Sequence, residues 1–179
     1  MKRPVIRAAG TILFVLSLSA CVDSSAPLLP GAKPLFGDEL RLQFYSLRKG
    51  FVDEPEQATY KWDGTKYRRD SGGMTDIDAF SLHHLARHNL IVQSEAAKRP
   101  GIFEYAVARR LTDGVYQVVG IDENDAGTAI RERYCKRAGD SHCRIETREQ
   151  LYAFARGTAQ RRKDQGGLVL RLSDDKPPR

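Results

Sequence analysis

The sequence predicts a mainly β (α+β) fold. An antiparallel meander forms a small barrel or sandwich, followed by one C-terminal helix and a closing strand. Three observations carry this. Several short runs alternate apolar and polar residues with the period of a strand. Two Asp-Gly pairs sit between such runs, where a tight hairpin needs positive backbone torsions. Only one segment joins a helix-start motif to an apolar face at helical spacing.

The first strand is "LRLQFYSL", in which Leu40, Leu42 and Phe44 alternate with polar neighbours. "ATYKWDGTKYRRD" reads as a hairpin: Tyr60 and Trp62 lead in, Asp63-Gly64 turns, and Tyr67 leads out. In "DAFSLHHLARHNL", Phe80, Leu82 and His84 alternate as in a strand, while Leu82, Leu85 and Ala86 also suit one helical face; strand then turn is the reading adopted. "NLIVQSE" is a further strand, bounded by Asn89 and "AKRPG". "FEYAVARRLTDGVYQVVGID" forms a second hairpin about Asp113-Gly114.

The helix lies in "ETREQLYAFARGTAQRRKDQGG". Thr147 and Gln150 make a capping box, and Leu151, Phe154, Ala155 and Thr158 share one face. Arg161 to Lys163 suit the negative pole of the helix, and Gly166-Gly167 stop it. "LVLRL" then reads as the closing strand.

The N-terminus sets the address. "MKRPVIR" carries Lys2, Arg3 and Arg7 and no acid, and the apolar "AAGTILFVLSLSA" follows. That is the basic-then-apolar order of a secretory signal. The uncharged run ends before Asp23 and falls short of the ~20 residues that a membrane span needs. Its end, Leu18-Ser19-Ala20-Cys21, resembles the lipobox of bacterial lipoproteins. The resemblance implies a diacylglycerol on the Cys21 sulfur, cleavage before Cys21 and acylation of the new amine. It further implies a cell-envelope protein tethered to a membrane. With Val22 rather than Asp after the cysteine, sorting in a Gram-negative host favours the outer membrane, facing the periplasm.

Four regions follow: a signal peptide over 1–20, a flexible tether over 21–37 rich in proline and small residues, one β-rich domain over 38–172, and a disordered tail over 173–179. Three basic residues and no acid leave with the signal, so the formal charge of +6 falls to +3. A charge of +3 on an exported chain does not call for nucleic acid as a partner.

Export also bears on the other two cysteines. In an oxidising compartment Cys135 and Cys143 read as a disulfide, worth roughly 2–3 kcal/mol in the chain-entropy model. The rival is a metal site from Cys135, His142 and Cys143, with poor chelate geometry from adjacent His-Cys. His83, His84 and His88 cluster, and His84 with His88 are weak metal candidates, because "HHLARH" lacks the glutamate of HExxH. The acidic "DENDAG", Asp122 to Gly127, lacks EF-hand spacing and reads as a turn. No G-x-S-x-G or phosphate-loop pattern occurs, and no cofactor is implied.

Tyr60, Trp62, Tyr67, Tyr105 and Tyr116 surround the two hairpins, where they fill a core or line an apolar pocket. The expected function is non-catalytic binding at the envelope, of an apolar ligand or an envelope partner protein. One alternative is a structural lipoprotein whose arginines, Arg131 to Arg162, meet peptidoglycan or lipid headgroups. Another is an envelope enzyme.

Overall fold

The computed structural model describes residues 22–48, 51–52, 55–72, 77–138, 142–161 and 168–172. The expected signal peptide, Cys21 and the tail over 173–179 lie outside the described residues.

Eight antiparallel strands close a barrel: β2 (Glu39–Arg48), β4 (Glu56–Trp62), β5 (Tyr67–Gly72), β6 (Ala79–Ala86), β7 (Asn89–Glu95), β8 (Phe103–Thr112), β9 (Val115–Gly120) and β12 (Leu168–Leu172). Closure comes from the final strand. β12 pairs with β2 on one side, Leu170 opposite Phe44, and with β9 on the other, Leu170 opposite Tyr116. The sequence left barrel and sandwich open, because alternation along a strand is the same in both. The register of "LVLRL" decides for the barrel. A short strand β3 (Phe51–Val52) pairs back onto β2.

Alternation sorts the side chains into two cores. Leu40, Leu42, Phe44, Leu90, Val92, Ala106 and Ala108 face the barrel interior with Tyr60, Tyr67 and Tyr116. The residues between them face outward, and some are buried as well. Ile91 and Val107 pack beneath α3 (Arg148–Arg161), a helix laid on the outside of the barrel. Both faces of β7 and β8 are therefore covered. Leu151 and Phe154 of α3 are fully buried there, each worth roughly 1.5–3 kcal/mol of apolar burial.

The capping box forms as the sequence predicts. The Gln150 N–H donates to Thr147 Oγ1 at 3.3 Å, and Gln150 Oε1 accepts from the Thr147 N–H at 3.0 Å. The sequence predicts one helix, and two short ones join it among the described residues: α1 (Glu123–Ala126) and α2 (Thr128–Tyr134). Gly157 lets α3 approach α1, since a Cβ there would lie 2.7 Å from the Ala126 carbonyl oxygen.

Both hairpins form. The Asp113-Gly114 turn joins paired Thr112 and Val115, with Gly114 at a φ of 70°. The first hairpin is longer than expected: Trp62 pairs with Tyr67 across a four-residue loop. Asp63 holds that loop. Its Oδ1 accepts from the Thr65 N–H at 2.8 Å, the Thr65 hydroxyl at 2.7 Å and the Lys66 N–H at 2.9 Å. These bonds, with the Thr65 hydroxyl foremost, hold its carboxyl well below the usual range.

Part of the segment expected as a flexible tether over 21–37 is held in the fold. Val22–Ser24 form strand β1, which pairs parallel with β11 (His142–Arg144) and antiparallel with the start of β8. β10 (Lys136–Ala138) completes this side sheet. Val22, Asp23 and Ser24 are all buried, as is Leu29. Pairing explains the difference. β9 covers β8 only from Ala106 onward, so the free edge at Phe103 and Glu104 takes up β1.

Candidate functional site

The barrel interior is the best-formed candidate. It retains an apolar cavity of about 50 Å³, lined by residues including Leu42, Phe80, Val92, Ala108, Tyr116 and Val118. That is room for a few water-sized groups, and no charged side chain among the described residues lines it. Tyr60 and Tyr67 turn their hydroxyls to backbone. Tyr60 donates to the Ile77 carbonyl at 3.1 Å. Tyr67 donates to the Gly37 carbonyl at 2.9 Å and accepts from the Phe36 N–H at 3.2 Å. Burial raises the Tyr67 and Tyr116 phenols above their ordinary value, so both stay neutral donors at any physiological pH.

Leu35 and Phe36 pack on this core from the segment before β2. The Phe36 ring meets Tyr116 edge-on, with centroids 5.9 Å apart. Inside, Phe80 packs against Tyr60 at 4.9 Å and Tyr67 at 5.6 Å. Of the five aromatics singled out in the sequence, Tyr60, Tyr67 and Tyr116 belong to the barrel core and Trp62 packs against it. Tyr105 does not. It points outward, where its hydroxyl shares a 2.6 Å hydrogen bond with Ser24 and accepts from the Leu28 N–H at 3.3 Å. The parity of β8 puts Tyr105 opposite to Ala106 and Ala108, and both faces of that strand are apolar, so sequence alternation could not tell in from out.

A second polar cluster lies where β1 docks. Asp23, 1% exposed, accepts from Arg99 Nη1 at 2.9 Å and Arg144 Nε at 3.3 Å. Arg99 also binds Glu104 at 2.7 Å. These are clamps on the N-terminal strand, with the charges used up among themselves.

The Cys135 and Cys143 sulfurs lie at disulfide distance, 2.06 Å, with Cα atoms 5.0 Å apart. Glu123 Oε2 lies 3.2 Å from Cys135 Sγ. Glu123, Cys135 and Cys143 are the one group of three metal-ligand side chains among the described residues. Among the described residues His84 and His88 join no such group of three, and His88 Nδ1 lies 3.3 Å from Arg110 Nη1. The side chain of His142 lies outside the description. His83 is half-buried beside Ser81, its Nε2 3.0 Å from the hydroxyl, and burial, with the nearby Arg148 charge, pushes its pKa down to about 4. Asp122 of the acidic run caps α1 by accepting from the Asn124 N–H at 2.8 Å.

The arginines are dispersed over separate tasks. Arg144 binds Asp23, Arg131 donates to Asn124 at 3.2 Å, and Arg148 and Arg156 both stack on Tyr152, at 5.3 and 5.8 Å from its centroid. No helix among the described residues is long and apolar enough to cross a membrane. No family model, curated protein or solved structure matches this chain.

Proposed function

We propose that the chain is a lipid-anchored envelope protein whose barrel binds an apolar ligand without catalysis. The observation that carries this is the cavity: a closed barrel whose lining among the described residues carries no charge, with the Tyr60 and Tyr67 hydroxyls bonded to backbone carbonyls. Eight-stranded barrels have an interior that side chains nearly fill or that holds one small ligand. The narrowness of this one suits a single unbranched hydrocarbon chain. A longer chain reaches the interior by displacing Phe36 from Tyr116.

The anchor in this reading is lipid on Cys21, and the location is the outer membrane, facing the periplasm. Its support is the lipobox resemblance of Leu18 to Cys21. Since Val22 is buried in β1, lipid and folded domain then occupy adjacent residues. The domain sits against the bilayer surface, close to a source of hydrocarbon chains.

Two measurements test the reading. Native mass spectrometry of protein released gently from envelope should find one bound apolar molecule per chain; a bound protein in its place would favour the partner reading. Cys21→Ala should move the protein from the membrane to the soluble fraction, and a Cys21→Ala protein still on the membrane refutes the anchor.

A further inference from the structure

We propose that Glu123, Cys135 and Cys143 form a reducible binding site for a soft divalent cation of the zinc class. Three elements bring the ligands together. Glu123 opens α1, Cys135 caps the C-terminal end of α2, and Cys143 lies in β11. One ligand atom from each lies within 4.8 Å of the other two. Cys143 is fully buried, in the same cluster as Val22, Ile145 and Leu151, so the set is held by the outer core. Glu123 and Cys135 are half-buried, which leaves the site open on one side.

The carboxylate is the informative member. In the oxidised pair neither sulfur carries a proton, so Glu123 Oε2, 3.2 Å from Cys135 Sγ, meets a sulfur that has nothing to donate. In the reduced pair the same oxygen accepts the Cys135 S–H, or sits beside two thiolates around a cation. Zinc takes thiolate and carboxylate ligands together, with water in a fourth position. Calcium and magnesium take oxygen sets, so two sulfurs select the softer ion.

The redox step balances with a dithiol as reductant. One of its thiolates attacks a sulfur of the Cys135–Cys143 bond, the S–S bond breaks, and the released sulfur takes a proton. The second thiol of the reductant then resolves the mixed disulfide. Two electrons reach the protein, two cysteine thiols form, and the reductant leaves as its own disulfide. The cation displaces the two thiol protons and binds both sulfurs. Oxidation removes both thiolate ligands, so the site is off when the pair is oxidised and on when it is reduced. The inference does not depend on the barrel reading.

The test is an anaerobic cobalt(II) titration of the full chain, oxidised or reduced with a phosphine, which leaves as phosphine oxide. The reduced chain should bind one cobalt, with sulfur-to-cobalt charge-transfer absorption that zinc abolishes, and the oxidised chain should show none. Glu123→Gln keeps both thiols and should weaken binding at least tenfold. Cys135→Ser should remove the charge-transfer band, or halve it at most. Circular dichroism checks each variant for folding, and Glu123→Gln decides the matter if the cysteine variant fails to fold. A reduced wild-type chain without the band, or a folded Glu123→Gln chain that binds as tightly as wild type, overturns the site.

Discussion

Arg99 Nη1 stands 2.9 Å from Asp23 Oδ2, joining residues 76 positions apart in the chain. The contact fastens the first described strand to the loop between β7 and β8. Asp23 is 1% exposed, so the carboxylate is stable there only while its cations remain. Arg99→Met leaves Asp23 with Arg144 alone and removes the partner of Glu104, and should destabilise the protein by about 2 kcal/mol, the scale of one lost hydrogen bond to a buried charge. Asp23→Asn in the Arg99→Met background should recover part of that loss. Urea unfolding of wild type and the two variants checks it, and an unchanged Arg99→Met midpoint would mean that Arg144 alone suffices.

Gly157 should not tolerate a methyl group. Its Cβ would lie 2.7 Å from the Ala126 carbonyl oxygen and 2.8 Å from the Ala126 Cα, both backbone atoms that a rotamer change cannot move. Gly157→Ala gains helix propensity, worth about 1 kcal/mol in an unobstructed helix. The clash should outweigh it and give a net loss of about 1–2 kcal/mol. Thermal unfolding measures the sign. A stabilised Gly157→Ala protein would show that α1 and α3 do not pack this closely.

His83 should make stability depend on pH. Its pKa is about 4 in the folded chain, against an ordinary 6.5. The unfolded chain thus binds the extra proton between those values. Stability is fully present above pH 6.5 and falls as pH drops toward 4. From this group alone the loss between pH 7 and pH 5 is about 2 kcal/mol. Urea midpoints of wild type and His83→Gln at the two pH values isolate it, since other groups titrate equally in both. Parallel losses in the two proteins would remove His83 as the cause.

Much of this fold is readable from short-range chemistry. Thr147 and Gln150 mark the start of α3, and Leu40, Leu42 and Phe44 give both the strand and its inward face, because cap and alternation each act within a few residues. The two Asp-Gly hairpins were readable for the same reason, although the loop after Trp62 is lengthened by the side-chain bonds of Asp63. Long-range pairing was not readable. Val22-Asp23-Ser24 carries no strand signal of its own; it is a strand because β8 leaves an edge free and because Arg99 and Arg144 neutralise Asp23. The site divides likewise. Cys135 and Cys143 were paired from sequence, whereas Glu123 belongs to an acidic run whose members look alike until the fold brings one of them to the sulfur.

The most direct test of the binding role is a fluorescence titration with parinaric acid, a slim polyene fatty acid that brightens in an apolar site. Wild type should give a saturable rise with one molecule bound per chain. Ala108→Leu adds three carbons to the cavity lining; it should fold normally and lose at least tenfold in affinity. No saturable rise with wild type, or the same titration curve from folded Ala108→Leu, would contradict ligand binding inside the barrel.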